Sequence, residues 1–336
     1  MLSLVFLFMD KDTKKFIIIT SVSEPTIGLN EFSEKKGWNI IVVGDKKTPN
    51  DWSMEGVDYL SVKDQKELNY SIVSLLPYNH YCRKMIGYLY AMEKGADVIY
   101  DTDDDNIPYP EWKQPEFKAN KLIDAEGEFL NIYKYFTNEH VWPRGLPLNQ
   151  ISNKEALYVT NEVESVGVWQ GLADKDPDVD AIFRLIFDRE INFENQENVA
   201  VKRGSFCPFN SQNTFWRKDF FPLMYLPSTV TFRFTDILRG YIAQKIIWNN
   251  DAVIGFTGPS VYQERNEHDL MSDFKDEVSM YTGVEKVVDL LNRFDTKDVS
   301  NALLEIYEAM VNISEVKPNE MEVLSAWLSD VKKYHD

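Results

Sequence analysis

The sequence contains few of the residues on which several protein classes depend. Only two of its 336 residues are cysteine, Cys82 and Cys207, and only four are histidine. Two cysteines form neither the spacing of a structural zinc site nor the framework of a disulfide-rich secreted domain. Both are therefore expected to be free thiols, which fits a reducing compartment such as the cytoplasm.

Basic residues and long apolar runs are also scarce. The chain has 36 Lys and Arg against 54 Asp and Glu, a net charge of −18. Such a charge disfavours binding to nucleic acid or anionic membranes, where Lys and Arg supply the affinity. The apolar stretch at residues 1–9 is too short for a bilayer, which needs about 20 residues. The sequence thus predicts a folded protein with neither a nucleic-acid partner nor a transmembrane segment.

The first hundred residues alternate between strand and helix patterns. Short continuous apolar runs at 16–20, 39–44 and 96–100 suit buried parallel strands. Helical spacing is found between them at 28–37 and 75–94. Alternation of this kind predicts a doubly wound α/β sheet, with ligands bound at the carboxyl ends of the strands.

The second half of the chain predicts mixed structure followed by helices. A helix is expected over 237–248, with Asp236 as a candidate N-cap, and a strand over 252–256. Beyond Met271, apolar spacing predicts three amphipathic helices. We therefore divide the chain into a ligand-binding domain, 10–270, and a helical C-terminal appendage, 271–336.

An acidic cluster at the end of an apolar strand is the most informative motif. Residues 100–106 read YDTDDDN. Like charges ~4 Å apart cost about 1 kcal/mol in water and more near a protein surface, and a divalent cation removes this cost. Asp103 and Asp105 are predicted to share one side of an extended segment and contact metal and nucleotide. Asp104 either faces away or binds through water. The alternative is a solvated acidic turn.

Three further residues are candidates for nucleotide binding. Asp45 follows the second strand, where it either contacts the nucleoside or lies in a surface turn. Arg83 and Lys84 begin the helix before the acidic strand, and cations at a helix N-terminus suit a diphosphate. The alternative for both is a surface salt bridge of little energetic value.

Several motifs resemble one group of enzymes. The acidic cluster resembles the metal-binding DXD motif of GT-A glycosyltransferases. Residues 142–147 (WPRGLP) resemble the Arg-Gly-x-Pro loop of the reversibly glycosylated polypeptides, the UDP-arabinopyranose mutases. The strongest resemblance is to the STELLO family, glycosyltransferase-like proteins of the Golgi, over about residues 15–265. Its counterparts lie at 83–90, 142–147, 170–180, 208–213 and 236–241.

The resemblance implies a GT-A-like mixed sheet that binds a nucleotide diphosphate sugar with Mn²⁺ or Mg²⁺. Asp103 and Asp105 would be metal ligands. The mutases carry a further metal-binding histidine late in the domain, after a tyrosine. Here Gln263 follows Tyr262 at the corresponding place, and His268 lies five residues on. Either side chain is a candidate third ligand.

The resemblance also implies roles for four residues. Arg144 stands where the mutases carry their glycosylated arginine, and it either bonds to the sugar, stabilises leaving-group charge or is structural. Asp178 and Asp180 are candidates for acceptor binding or base catalysis. Asp236 either assists Arg144 or only caps its helix.

These observations predict a metal-dependent glycosyltransferase with a UDP-sugar donor and a glycan or protein acceptor. Two alternatives stay open. One is a UDP-sugar mutase or self-glycosylating protein that acts through Arg144, and the other is a catalytically idle scaffold of the same fold. The resemblance adds Golgi association as a second expectation for location, and a homo-oligomer is left open.

Overall fold

The computed structural model describes residues 13–125, 127–153, 156–187, 189–264 and 269–335. The strands are, in chain order, β1 (Lys15–Thr20), β2 (Trp38–Val43), β3 (Val57–Leu60), β4 (Val98–Thr102), β5 (Asn106–Pro108), β6 (Lys118–Ala119), β7 (Leu122–Ala125), β8 (Leu157–Thr160), β9 (Glu164–Asp174), β10 (Val199–Val201), β11 (Asn213–Arg217) and β12 (Val253–Gln263). The helices are α1 (Ile27–Ser33), α2 (Val62–Glu67), α3 (Lys84–Glu93), α4 (Tyr133–Phe136), α5 (Ala181–Ile186), α6 (Thr235–Asn249), α7 (Leu270–Leu291), α8 (Val299–Asn312) and α9 (Glu320–His335).

One large mixed sheet organises the chain. Its strand order is β3-β2-β1-β4-β11-β9-β12-β10-β7-β8, with β5 paired to β12 and β6 paired to β9. The first four strands run parallel, whereas β11 is antiparallel to both β4 and β9. The predicted α/β class is therefore confirmed, with a parallel half connected by helices and an antiparallel centre.

The local sequence explains the parallel half. Four of the six residues in each of β1 and β2 are buried, including every Ile and Val, as expected for strands covered on both faces. Thr26 caps α1 by accepting a hydrogen bond from the backbone N–H of Leu29. Gly28 in this helix lies against the chain after β4, because a Cβ there would stand 2.1 Å from the carbonyl oxygen of Asn106. This close approach places residues 103–106, which follow β4, beside the start of α1.

The helix predicted over 75–94 is shorter than expected. Its α-helical part, α3, begins only at Lys84, and 3₁₀ turns occupy 71–74 and 81–83. Pro77 removes a backbone donor, and Asn79 takes a left-handed conformation with φ of 54°. These two residues break the helical pattern and place the loop before α3 over the ends of β1 and β2.

The second half contains more sheet than the sequence indicated. The strand predicted over 252–256 extends to Gln263 as β12, and its long parallel neighbour β9 was not predicted. The β9 residues lack a clean alternation because both faces of this central strand are buried. Asp236 is not the N-cap of α6, which begins at Thr235, so its side chain is free for another partner.

The C-terminal helices form as predicted and pack on the rest of the fold. α9 contacts α3, and α7 contacts α5 and α6. Their buried apolar side chains belong to the same core as those of the sheet. The domain division at residue 270 stays a prediction. Within the described ranges no helix combines the length and hydrophobicity needed to cross a bilayer.

Cys82 and Cys207 are both buried and unpaired, as predicted.

Candidate functional site

A groove runs across the carboxyl ends of the parallel strands. It consists of three adjoining spaces, which we call the strand-end cavity (about 330 Å³), the central cavity (about 250 Å³) and the outer cavity (about 800 Å³). Tyr81, Asp104 and Phe232 line both the strand-end and central cavities. Arg184 and Gln263 line both the central and outer cavities. The shared lining residues show that neighbouring cavities lie next to each other along the strand ends.

The acidic cluster lines the central cavity as a turn. The backbone N–H of Asn106 donates to the carbonyl oxygen of Asp103 over 3.4 Å, which closes the turn. The extended geometry predicted for Asp103 and Asp105 is therefore wrong, although both line the cavity. Asp104, predicted to face away or to bind nucleotide through water, borders two cavities and accepts a hydrogen bond of 2.6 Å from Ser21 Oγ. We call residues 103–105 the acidic turn.

Protein cations lie directly below the acidic turn. Lys84 Nζ lies 2.9 Å from Asp101 Oδ1 and 3.0 Å from Asp103 Oδ1, and Arg239 Nη1 lies 3.1 Å from Asp101 Oδ2. Lys84 and Arg239 are both buried. Lys84 is thus not placed to bind a diphosphate as predicted. It neutralises Asp101 and helps to orient Asp103.

Asp105 is the least satisfied carboxylate of the turn. Its Oδ2 accepts a hydrogen bond of 2.8 Å from Gln263 Nε2, whereas its buried Oδ1 has no hydrogen-bond partner among the described residues. Burial, and then the neighbouring charge of Asp103, raise the pKa of Asp105 to about 7. Burial also raises the pKa of Asp103 and Asp104, with Lys84 opposing it at Asp103. Among the described residues, the ion pair of Asp103 with Lys84 is the only one that the acidic turn makes.

These features fit a divalent cation, whose preferred ligands are oxygen atoms. Asp105 Oδ1 offers an unused buried acceptor, and Asp103 remains 44% exposed to the cavity. Among the described residues, no group of three His, Cys, Asp or Glu side chains is placed to hold a metal. Gln263 is a candidate third ligand only through its amide oxygen, which here accepts a hydrogen bond of 2.6 Å from Gln212 Nε2, while its amide N–H faces Asp105. His268, the other candidate, lies outside the described residues.

Asp45 and Arg83 both border the strand-end cavity, but their polar atoms are already engaged. Asp45 accepts hydrogen bonds of 2.7 Å from the backbone N–H groups of Lys46 and Asn79. Arg83 donates to Gln65 Oε1 and to a backbone carbonyl, and burial lowers its pKa. Both residues therefore shape the loop over the cavity.

Arg144 lies across the central cavity from the acidic turn and binds two aspartates. Its Nε and Nη2 donate to the two Asp178 oxygens at 2.7 and 2.8 Å. Nη1 and Nη2 donate to the two Asp236 oxygens at 3.1 and 3.0 Å. Gly145 follows with φ of 94°, and a Cβ there would stand 2.5 Å from the Ile237 side chain. This bend therefore requires glycine.

The Arg144 cluster, defined as Arg144, Asp178 and Asp236, is electrostatically satisfied. Burial disfavours the charges of Arg144 and Asp236, but the paired carboxylates outweigh this effect and raise the pKa of Arg144. In the same way Arg144 overcomes burial and lowers the pKa of Asp236 to about 2. Arg144 is only 5% exposed. The cluster therefore presents rigid, ionised groups to the cavity.

Asp180 does not reach the groove. It is fully buried, accepts a hydrogen bond of 2.7 Å from the backbone N–H of Phe183 as the N-cap of α5, and accepts another of 2.7 Å from Trp142 Nε1. Burial raises its pKa to about 6. The catalytic role predicted for Asp180 is wrong in geometry, because a helix cap and the Trp142 loop hold its carboxylate away from the cavities.

Sequence reasoning missed three groove residues. Arg184 on α5 donates to the carbonyl oxygen of Pro177 at 2.9 Å, while its buried Nε has no hydrogen-bond partner in the described part of the chain. Arg233 borders the central cavity, and Phe232 is 46% exposed at its junction with the strand-end cavity. No local signal identified them, because only the folding of α5 and of the segment before α6 brings them to the groove.

Comparisons with known proteins agree with the predicted resemblance. The family model described as STELLO glycosyltransferases matches residues 233–335. Two Arabidopsis thaliana proteins named "Probable glycosyltransferase STELLO2" and "Probable glycosyltransferase STELLO1" align with 95% of this chain. Each is 28% identical to it over the aligned residues. The chain spans 45% and 44% of their respective lengths. The resemblance to the STELLO family is confirmed and extends beyond the region expected, into the C-terminal helices.

Among solved structures, one titled "Crystal Structure of a Mycobacterial Protein" aligns with 83% of this chain and 73% of its own. Its TM-score of 0.35 and identity of 10% are too low to support a conclusion about fold or function.

Proposed function

We propose that this protein is a glycosyltransferase with a GT-A-like fold that takes a UDP-linked sugar as donor. The observation that carries the proposal is the position of the acidic turn, at a strand end between the strand-end cavity and the Arg144 cluster. The names of the STELLO relatives support the reaction class.

The groove divides naturally among the parts of such a donor. The strand-end cavity lies beside the ends of β1 and β2, where α/β sheets bind nucleosides. The acidic turn borders the central cavity, where the diphosphate would lie. The sugar would then face Asp178 and Asp236, whose ionised oxygens suit sugar hydroxyl groups. The outer cavity, beyond Arg184 and Gln263, is open to an acceptor.

A Mn²⁺ or Mg²⁺ ion fits the acidic turn, where Asp103 and Asp105 would hold it with help from Gln263. Such an ion supplies Lewis-acid stabilisation of the diphosphate leaving group. Two neighbouring side chains orient the carboxylates of this site. Lys84 keeps Asp103 oriented from below, and Gln263 fixes one oxygen of Asp105 while leaving the other available.

On the opposite wall, Arg144 acts as a positioning residue. Its guanidinium holds Asp236 ionised and fixes both Asp178 and Asp236 toward the sugar and acceptor hydroxyl groups. The contacts do not favour Arg144 as a covalent nucleophile, because every guanidinium nitrogen donates to a partner and the raised pKa keeps the group charged. Intact mass after incubation with UDP-sugars tests this point, and we expect no Arg144-dependent adduct.

Isothermal titration with UDP and Mn²⁺ tests the proposed donor site. Wild-type protein should bind, and Asp105→Asn should bind at least about tenfold more weakly, because a neutral amide is a poor ligand for a hard cation. Asp251→Asn, which alters an exposed aspartate outside the groove, serves as the matched control. No binding by wild type, or equal binding by Asp105→Asn, contradicts the proposal.

Product analysis separates the transferase from a scaffold. A transferase releases UDP from a UDP-sugar when an acceptor is added, whereas an idle scaffold binds UDP without turnover.

A further inference from the structure

Phe232 is an exposed aromatic side chain that lines two of the three cavities. It is 46% exposed and borders both the strand-end and central cavities. Its ring lies 4.6 Å from the Tyr81 ring at an interplanar angle of 71°, and 5.3 Å from the His80 ring. Scattered apolar surface residues are ordinary. An aromatic cluster that forms the shared wall of two cavities is instead suited to holding a ring of a ligand.

The segment that carries Phe232 is fixed from both sides by the C-terminal helices. Before it, the buried Glu320 carboxylate accepts hydrogen bonds from the backbone N–H groups of Ser228 and Thr229 at 2.9 and 2.8 Å. After it, Arg233 Nε donates to the buried Glu277 carboxylate at 2.9 Å. Both glutamates are 0% exposed. Charge-assisted bonds of this kind hold a short loop in one position.

Two further contacts keep the Phe232 cluster in place. Thr231 Oγ1 donates to the carbonyl oxygen of Asp276 in α7 at 2.6 Å. The Tyr81 hydroxyl accepts a hydrogen bond of 2.9 Å from the backbone N–H of Asp236. The same segment supports the Arg144 cluster, because Arg144 Nη1 donates to the backbone carbonyl of Arg233. The loop thus connects the C-terminal helices to two walls of the groove.

From this geometry we propose that Phe232 contacts the nucleoside part of the donor at the junction of the two cavities. We also infer that α7 and α9 serve to hold it there. The inference rests on the proposed function and names a residue that determines donor affinity. An exposed phenylalanine supplies a flat apolar surface for a base or ribose ring, and a preorganised one costs little ordering entropy on binding.

Titration of three ligands tests this role. We expect Phe232→Ala to weaken binding of UDP and of uridine about tenfold while binding of inorganic pyrophosphate with Mn²⁺ stays unchanged. Phe232→Trp, which retains an aromatic surface, should retain most of the affinity. Ile313→Ala is the matched control, because Ile313 is 42% exposed and borders none of the three cavities.

The outcomes separate this inference from the proposed function. If the wild type binds UDP and Phe232→Ala binds it equally well, only the role of Phe232 is overturned. An equal loss for pyrophosphate also overturns it, because the substitution would then act on the acidic turn and not on the nucleoside. Failure of the wild-type protein to bind UDP overturns the proposed function itself.

Discussion

The acidic turn and the Arg144 cluster form two walls of the same cavity, yet their charges are balanced in different ways. In the Arg144 cluster, one guanidinium donates to all four oxygens of Asp178 and Asp236. In the acidic turn, Asp103 shares Lys84 with Asp101, and Asp105 has only an amide partner. The pKa of Asp236 is accordingly lowered, whereas that of Asp105 is raised.

This difference shows how each wall can act. A cluster whose charges are already paired gains little from a further ion and serves as a rigid framework. A turn whose carboxylates are partly buried and share a single lysine is expected to be stabilised by a cation that binds among them. The same residue type therefore has two roles in one cavity, and the partner of each aspartate determines which.

The largest expected effect is the loss of stability when the Arg144 cluster is disrupted. Arg144→Met leaves two carboxylates buried without their counter-ion, which should lower the free energy of unfolding by about 3–5 kcal/mol. Urea denaturation measures the change. Lys297→Met, which removes an exposed ion pair with Asp251, is the control and should change stability by less than about 1 kcal/mol. Similar values for both variants would contradict the idea that the Arg144 cluster is structurally essential.

The second-largest expected effect is a loss of stability in acid through the Arg144 cluster. Because the pKa of Asp236 is about 2 in the folded protein and higher when unfolded, its contribution is present above about pH 4 and lost as pH falls toward 2. The shift corresponds to about 2 kcal/mol. Urea midpoints between pH 5 and pH 2.5 measure this loss, and the acid slope should be shallower in Asp236→Asn. Equal slopes would show that Asp236 is not the responsible group.

The acidic turn should respond to pH in the opposite direction. With EDTA present, folded Asp105 keeps its proton up to about pH 7, whereas the unfolded chain loses it near pH 4. Stability should therefore fall as pH rises through this range, by less than the bare shift implies because the cavity is open to water. Unfolding of Asp105→Asn should lack this component, and Mn²⁺ should remove it from the wild type. A pH-independent difference between the two proteins would contradict the assignment.

The smallest effect concerns the third ligand of the acidic turn. Gln263→His replaces a weakly coordinating amide with an imidazole and should tighten Mn²⁺ binding by about threefold. Titration of the wild type and the variant with Mn²⁺ measures the change, with Gln114→His as a control outside the central cavity. Unchanged affinity would place Gln263 outside the ligand set.

Several features were predictable from the sequence because their signals are local. The buried runs of β1 and β2, the acidic cluster after β4 and the apolar stripes of α7–α9 were all predicted. The length of α3 was predicted less well, and β9 was not predicted. Pro77 and Asn79 interrupt the helical spacing before α3, and burial of both faces hides the alternation of β9.

The sequence by itself determined the buried strands and the acidic cluster, because apolar runs and neighbouring aspartates are contiguous in the chain. Only the tertiary structure decided which groups meet. Arg144 and Asp236 are 92 positions apart, and Asp105 and Gln263 are 158 apart. Such pairs depend on sheet order and strand register, which no local pattern encodes. Folding therefore made one aspartate a counter-ion of Arg144 and another a helix cap, and it left Asp105 with one buried oxygen that has no partner among the described residues.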